Sequence, residues 1–496
     1  MNGSTISILI AFVCYLTAMI FIGFSYYKKT SSSSDFFLGG RRVGPWMTAL
    51  SAEASDMSGW LLMGLPGVAY LTGMKEAFWT ALGLIIGTYL NWLIVAKRLR
   101  KYTMHSGDSI TIPEFFTNRF RDKSRVISLV SVIFILIFFT IYTASGFVAC
   151  AKLFNSVFGI PYIYALLLGI GVILVYTLLG GYLAVCATDF VQGSLMFVAL
   201  LITPIIAIIT LGGPAETFSR ISAFGAEFLN PFISGPNDNF GIAAIISALA
   251  WGLGYFGMPH ILVRFMSIRS NEEVKLSRWI AMVWVIIAFI GALLVGAVGK
   301  VYLTKDLAAG AADTVFIETI MQMFPAFIAG IFLCGILAAA MSSADSQLLV
   351  ASSAFSRDVY KPFIRKNASE KETLMVSRLT VAAVGLIAFF IALDPNSSIF
   401  GLVSYAWAGF GATFGPLILL ALFWRKTTRN GALAGLISGG AVVLIWKPLS
   451  GGIFNIYEIL PGFIVCLVVA IVVSLLDKNK DAEMLAEFDA YQKLAD

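Results

Sequence analysis

Charged side chains are scarce in this chain of 496 residues. Asp, Glu, Lys and Arg together make up 12% of it, whereas hydrophobic residues make up 59%. A soluble domain carries about 25% charged and about 45–50% apolar residues. So few charges could not cover a water-exposed globule of this size, which excludes an ordinary soluble enzyme, a disordered protein and a secreted disulfide scaffold. The composition predicts an all-α, polytopic membrane protein.

Histidine and paired cysteine are also lacking. The chain has only two histidines, His105 and His260, too few for a histidine-based metal centre, and no histidine neighbours a cysteine at ligand spacing. We therefore expect no enzyme activity. An odd number of cysteines without a CxxC motif predicts small buried side chains rather than a disulfide framework. The five cysteines are Cys14, Cys150, Cys186, Cys334 and Cys466.

Long apolar runs are what the chain has in abundance. A helix needs about 20 apolar residues to cross a bilayer. Thirteen spans are predicted, over residues 4–27, 45–70, 76–96, 126–155, 162–183, 189–212, 240–262, 276–302, 325–354, 373–393, 398–424, 429–447 and 456–476. The hydrophilic stretches between them are too short for a soluble domain core.

Basic residues are concentrated in alternate loops between these spans. The loops that hold them include 97–125 and 355–372, and the same side takes Arg264 and Arg269 after the seventh span. The positive-inside rule then places the N-terminus outside the cell and the C-terminus in the cytoplasm. The net charge of +6 is explained by this orientation without a nucleic-acid partner.

The tail after the last span is charged, and it is predicted to form a short amphipathic helix on the membrane surface. Its apolar residues are Met484, Leu485, Phe488, Tyr491 and Leu494.

Ionisable residues inside the spans are candidates for function, because burying them in a bilayer is costly. The four acids of this kind are Glu53, Asp56, Asp189 and Asp345. The second span carries two of them in the segment SAEASDMSGW, residues 51–60. Such a polar helix predicts a break near Ser58-Gly59, where freed carbonyls could coordinate a cation. The alternative is an unbroken polar helix that only packs in the bundle.

The seventh span contains three glycines and a proline in WGLGYFGMPH, residues 251–260. The glycines match GxGxxG, but an apolar span without a βαβ unit excludes a dinucleotide site. We predict a second interrupted helix here. Trp251 and Tyr255 share a face of it, either as packing residues or as ligand contacts.

The ninth span carries Ser342, Ser343 and Ser346 close to Asp345. Hydroxyls in this position can add oxygen ligands for a hard cation. Serines in membrane helices also commonly bond to their own backbone, so both interpretations stay open.

The two interrupted spans are five helices apart, and interrupted helices at matching positions of two halves point to a transporter site. Spans 2–6 (residues 45–212) and 7–11 (240–424) are therefore predicted to be two inverted repeats. The predicted additions are residues 1–44, the last two spans within 425–476, and the tail 477–496.

Several long motifs resemble the sodium:solute symporter family. They are DFFLGGR (35–41), SAEASDMSGWLLMGLPG (51–67), FFTIYTASG (138–146), GGYLAVCATD (180–189), WGLGYFGMPH (251–260), residues 336–349 and GLVSYAWAGFGATFG (401–415). The resemblance implies thirteen helices in a five-plus-five inverted repeat of the leucine-transporter type. It also implies sodium-coupled uptake of a small solute across the cell membrane by alternating access, and we expect that solute to be L-proline. Pantothenate or a sialic acid are alternatives within the family, and a sodium-permeable channel or sensor is an alternative outside it.

The resemblance also implies the site residues. Sodium, the coupling ion and the only metal expected, would bind the carbonyls of Ala54, Met57 and Ala339 and the hydroxyls of Ser342 and Ser343. Asp56 and Asp189 would be linked to ion binding. The residues implied for the solute are Ser58, Trp60, Gly64, Tyr142, Trp251, Tyr255 and Pro259. No other cofactor and no obligate protein partner is expected.

Overall fold

The computed structural model describes residues 3–27, 33–179, 181–235, 238–478 and 481–495, and these are almost entirely helical. The α-helices are α1 Gly3–Tyr27, α2 Ser33–Leu38, α3 Pro45–Asp56, α4 Leu65–Thr72, α5 Met74–Leu90, α6 Ala96–His105, α7 Ile112–Arg119, α8 Val126–Phe158, α9 Tyr162–Leu179, α10 Tyr182–Thr210, α11 Pro214–Ser222, α12 Ala226–Leu229, α13 Ile242–Leu249, α14 Pro259–Ser267, α15 Glu273–Tyr302, α16 Val315–Met323, α17 Ala326–Ser353, α18 Glu370–Ile391, α19 Ile399–Phe423, α20 Arg429–Trp446, α21 Ile459–Leu476 and α22 Ala482–Ala495.

Shorter or differently wound segments connect some of these helices. Wider π-type turns cover Trp60–Gly64, Asn91–Val95 and Ala354–Ile364. Tighter 3-10 turns cover Gly39–Arg41, Ala250–Gly257, Ala309–Thr314 and Gly452–Asn455. One small antiparallel pair, β1 Ile233–Gly235 and β2 Asp238–Asn239, lies between α12 and α13.

Ten helices among the described residues are long and apolar enough to cross a membrane. An eleventh span results if α13 and α14, which meet at a bend of 47°, are counted as one. Two shorter apolar helices, Trp60–Thr72 and Tyr162–Leu178, overlap the second and fifth predicted spans. A polytopic all-α membrane protein is thus confirmed, and the count of thirteen stays a prediction.

The two interrupted spans lie side by side and run in opposite directions. At one end, the Val43 amide donates to the Ser267 carbonyl at 3.2 Å and the Arg269 amide donates to the Val43 carbonyl at 2.9 Å. Near the middle, the ring centroids of Trp60 and Trp251 are 5.9 Å apart. The start of the second span therefore meets the end of the seventh, as two inverted repeats require.

Helices α17 and α19 form the centre of the molecule. In their most apolar windows 78% and 89% of residues are buried, against 33% in the peripheral helices α1 and α21. Small residues make this depth possible: Ala338, Ala339 and Ala340 of α17 are fully buried and leave room for neighbouring backbones. The segment that carries the predicted hydroxyl ligands is therefore closed off from lipid.

Three predictions about position are wrong. Arg264 was placed in a basic loop, but α14 continues to Ser267 and the Arg264 side chain is buried. Cys14 was expected to be buried, but it lies on the exposed face of α1, a peripheral helix. The tail helix α22 was expected on the membrane surface, but its apolar face packs against the protein itself.

Aromatic packing holds the tail helix α22 against the protein. The Tyr491 ring stacks on Tyr102 of α6 with centroids 3.9 Å apart, and the Arg119 guanidinium lies 4.8 Å from the Phe488 ring centroid. Met484, Phe488 and Tyr491 are buried in this contact. Leu485 is partly buried, and the Leu494 side chain lies outside the described residues.

Candidate functional site

The second span breaks where its sequence predicts. Helix α3 ends at Asp56, Met57 leaves the helical region with ψ 71°, and the helix resumes in a π-type turn at Trp60. The Ser58 amide donates to the Asp56 carbonyl at 2.9 Å, a contact that closes a tight turn instead of continuing the α-helix. The break at Ser58-Gly59 is confirmed, and it frees backbone carbonyls near the buried end of α3.

The broken end of α3 meets the middle of α17. The Ser342 hydroxyl donates to the Ala54 carbonyl at 2.7 Å and lies 3.3 Å from the Ala339 carbonyl. The Ser343 hydroxyl lies 3.5 Å from the same Ala54 carbonyl. The structure thus brings together four of the five predicted sodium ligands. The fifth, Met57, is buried in the adjoining turn.

The seventh span is interrupted as well, by the 3-10 segment Ala250–Gly257 and the kink at Met258. Pro259 occupies the first turn of α14, where a missing amide hydrogen does no harm. The segment presents Trp251 and Tyr255 toward Trp407 of α19. The Trp407 indole donates to the Trp251 carbonyl at 2.7 Å, and the Tyr255 and Trp407 rings are 5.1 Å apart.

Asp56 connects the predicted solute residues to the end of α3. Its carboxylate accepts a hydrogen bond from the Tyr255 hydroxyl at 2.7 Å. Its carbonyl accepts from the Tyr142 hydroxyl at 3.0 Å and from the Trp60 indole at 3.2 Å. The second carboxylate oxygen is buried and has no hydrogen-bond partner among the described residues. One residue therefore holds three of the seven predicted solute residues.

The remaining predicted solute residues border this group. The Ser58 hydroxyl lies 3.4 Å from the Trp60 amide. Gly64 lies so close to α19 that a Cβ there would be 3.2 Å from the Phe400 backbone nitrogen. Trp251 also lines a cavity of about 430 Å³, together with Phe400, Ser404 and Tyr457. All seven predicted residues therefore gather around the two helix breaks, and a cavity reaches them at Trp251.

Asp189 lies beside a cation that the sequence interpretation assigned to a loop. The Asp189 carboxylate accepts from the Ser51 hydroxyl at 2.6 Å and from the Arg264 guanidinium at 3.1 Å, and both ionic side chains are buried. The same guanidinium donates to the Ser346 hydroxyl at 2.5 Å. Asp345 joins through the Ser346 hydroxyl at 3.3 Å. These contacts join α3, α10, α14 and α17 one turn away from the Ala54–Ser342 contact.

Arg264, Trp407 and Asn91 are site residues that the sequence interpretation missed. The Asn91 amide donates to the Tyr255 carbonyl at 2.9 Å. Asn91 is the only side-chain amide in the apolar run 80–96, and this could have marked it as a candidate. Arg264 could have been found only by extending α14 beyond its apolar residues. Trp407 carries no signal that separates it from a packing residue.

Known proteins match most of this chain. The family model described as "Sodium:solute symporter family" matches residues 36–439. The sodium/proline symporter of Escherichia coli (strain K12) is 48% identical over 491 residues, which cover 97% of this chain and 96% of that protein. The osmoregulated proline transporter OpuE of Bacillus subtilis (strain 168) is 46% identical over 494 residues, which cover 99% of each.

A solved structure shares the fold. It is that of a Na⁺-coupled sialic acid symporter in a substrate-bound outward-open state, which aligns with a TM-score of 0.79 at 22% identity and covers 97% of this chain and 99% of that one. The predicted fold of the leucine-transporter type is confirmed by this similarity.

Proposed function

The chain belongs to the sodium:solute symporter family, and we propose that it takes up L-proline together with sodium at the two helix breaks. It is a transporter of the cell membrane and not an enzyme, and sodium is its coupling ion. The observation that carries the site proposal is the 2.7 Å contact between the Ser342 hydroxyl and the Ala54 carbonyl, which joins α17 to the broken end of α3.

Sodium is proposed to bind between these two helices. The carbonyls of Ala54, Met57 and Ala339 and the hydroxyls of Ser342 and Ser343 offer five oxygens, the ligand type that unwound transporter helices give to sodium. Ser342 now donates its hydrogen to a carbonyl of this set. A bound sodium ion would take the Ser342 hydroxyl oxygen and the Ala54 carbonyl oxygen as ligands. The hydroxyl hydrogen would then turn away, and the two helices would stay joined through the ion.

Proline is proposed to bind beside the aromatic residues of the two breaks. Its secondary ammonium and apolar ring suit the faces of Trp60, Trp251 and Tyr255. Its carboxylate suits backbone amides near the half-helix that begins at Pro259, where the helix dipole is positive. Ser58, Gly64 and Tyr142 complete the proposed site.

Coupling between ion and solute follows from the position of Asp56, only two residues after Ala54. Sodium on the Ala54 and Met57 carbonyls would fix the turn that carries Asp56. Asp56 in turn holds Tyr142, Trp60 and Tyr255 through the hydrogen bonds described above. An occupied sodium site therefore orders the proline site, and an empty one leaves it loose.

One sodium per proline supplies enough energy for accumulation. Moving one positive charge across ~100 mV contributes about 2.3 kcal/mol. A tenfold sodium gradient adds about 1.4 kcal/mol, and together they sustain roughly a 500-fold proline gradient. We place the N-terminus outside and the basic loops in the cytoplasm, since the positive-inside rule supports that orientation.

Purified protein in liposomes tests the function. Labelled proline should accumulate against its gradient only when sodium is imposed outside, and unlabelled proline should compete where pantothenate and sialic acid do not. If either of those solutes competed and proline did not, that solute would take the place of proline as the proposed substrate. Sodium flux without proline and without accumulation would favour a channel or sensor instead.

A further inference from the structure

A second polar cleft, with none of the proposed transport residues in its lining, lies between the start of α8 and the segment Ala354–Ile364. It encloses about 400 Å³, within the usual range of small-ligand sites. Four cations and two acids line it: Arg125, Arg357, Lys361, Lys366, Glu114 and Asp358. The cleft belongs to the loop side that carries most of the basic residues.

The two acids of this cleft are already engaged. The Asp358 carboxylate accepts from the Thr111 hydroxyl at 2.7 Å and is buried. Glu114 accepts from the Ile110 amide at 2.8 Å, and its other oxygen lies 3.9 Å from Arg357. Both acids are therefore held by the loop before α7, and their charges offset only part of the charge of the four cations.

Arg357 and Lys361 have only long ion pairs. Lys361 has one long, exposed ion pair of 3.7 Å with Glu370. Among the described residues, Arg125 and Lys366 have no side-chain hydrogen bond or ion pair. Two acids against four cations leave the cleft with an excess of positive charge, and such a cleft attracts an anion with several acceptor oxygens.

Apolar residues beside the cleft indicate where the anion comes from. Phe363 and Ile364 lie two and three residues after Lys361 on the same segment and are 45% and 64% exposed. Exposed apolar side chains next to Lys and Arg are typical of a surface that meets lipid acyl chains and headgroups together.

We propose that this cleft binds a phosphate group, and that the phosphodiester headgroup of an anionic lipid supplies it. Arg125, Arg357, Lys361 and Lys366 would hold the phosphate oxygens, while Phe363 and Ile364 lie against the acyl chains. The proposal is independent of the transport function, because none of these residues belongs to the sodium or proline site.

The test uses the full-length transporter in a neutral detergent. Dioleoylphosphatidylglycerol, dioleoylphosphatidylcholine and inorganic phosphate are titrated separately, and both the melting temperature and the binding of a fluorescent phosphatidylglycerol are recorded. The cleft variant is Arg125→Gln with Lys366→Gln, and a second variant is Lys361→Gln with Lys366→Gln. The matched control, Lys275→Gln with Lys426→Gln, removes the same charge from exposed positions of the same loop side.

We expect saturable binding of phosphatidylglycerol but not of phosphatidylcholine. Each cleft variant should weaken it by about tenfold or more, because each loses two cations near the headgroup. The control should stay within about twofold of the wild type. Proline uptake should be unchanged in all variants, which separates this site from the transport site.

Binding of inorganic phosphate that displaces phosphatidylglycerol would support the same site with a soluble source. Absence of saturable binding of either probe would overturn the proposal. An equal loss in the control variant would also overturn it, since the effect would then be one of total charge.

Discussion

Asp56 does more at the residue scale than its predicted link to the ion required. Its side chain holds Tyr255, and its backbone holds Tyr142 and Trp60. The backbone bonds survive a change of side chain, whereas the bond to Tyr255 does not. Substitution at this position therefore separates the role of the carboxylate from that of the turn.

Asp56→Ala should raise the sodium concentration for half-maximal uptake by about tenfold or more, a typical size for a coupling between two sites. Proline affinity at saturating sodium should change far less, because the backbone contacts to Tyr142 and Trp60 remain. Uptake kinetics over a matrix of sodium and proline concentrations measure both. Asp56→Asn, which keeps an acceptor for Tyr255, is the control, and an unchanged sodium dependence in Asp56→Ala would refute the ion-linked role.

The Arg264–Asp189 pair is a buried ion pair, and removing one partner leaves an unpaired charge in the interior. Such removal costs about 3–5 kcal/mol. We predict that Arg264→Gln lowers the melting temperature sharply and that Asp189→Asn added to it restores part of the loss. Thermal unfolding of the purified variants measures this.

Arg269→Gln is the comparison for that experiment, because it removes an exposed arginine only five residues away. Surface ion pairs contribute little. If Arg264→Gln were as stable as Arg269→Gln, the pair would have no structural role.

Residue identity allowed some of these positions to be predicted and hid others. Ser342 and Ser343 stand out because hydroxyls in an apolar span need a reason, and the structure places both at the end of α3. Arg264 was assigned to a loop because hydropathy ends a span at the first charge, although a buried acid on another helix can keep that charge inside. Pairing across helices is not visible in one sequence.

At the scale of elements, both helix interruptions could be predicted, because glycine, proline and polar residues cluster where the helices break. The sequence pattern does not show why each position needs a glycine. Gly252 and Gly254 are not ligand-binding glycines but close-approach positions: a Cβ at Gly252 would strike the Gly83 carbonyl, and one at Gly254 would strike the Trp407 ring. The 3-10 segment therefore lies against α5 and α19 without side chains between them.

Gly252→Ala should displace this segment, since backbone at Gly83 cannot yield as a flexible side chain would. Overpacking of this kind typically costs about 1–3 kcal/mol. Because Trp251 is the next residue, we expect a raised half-saturation for proline with sodium affinity nearly unchanged. Transport kinetics check the result, with Gly241→Ala as the control, where an added Cβ meets nothing within 4 Å. Equal kinetics for the two variants would contradict the packing role.

At the scale of the whole molecule, the tail helix α22 packs against the loop side of the bundle. Arg425 holds Asp489 through two contacts of 2.6 and 2.7 Å, and Arg121 pairs with Glu483. Its amphipathic pattern was correctly recognised, but the pattern alone cannot tell a membrane surface from a protein surface. The partners that decide the matter, Tyr102 and Arg119, are hundreds of residues away in sequence.

Phe488→Ala should loosen this helix, because it removes the ring that lies under Arg119 and beside Tyr491. Truncating a buried Phe costs about 3–5 kcal/mol of packing where the site cannot collapse. Limited proteolysis followed by mass spectrometry should show cleavage near residues 477–481 much earlier than in the wild type. Gln492→Ala, a change at an exposed position of the same helix, should not show it. If Phe488→Ala resisted proteolysis as well as the wild type, α22 would be held by contacts other than those of Phe488.

Sodium at the α3–α17 contact is proposed to order the proline site. The most direct measurement is proline binding to purified transporter as a function of sodium, for the wild type and for Ser342→Ala with Ser343→Ala. We predict that the wild type binds proline at least about tenfold more tightly in saturating sodium than in choline, and that the double variant loses this difference. A double variant whose proline affinity still rises with sodium as in the wild type would contradict the account.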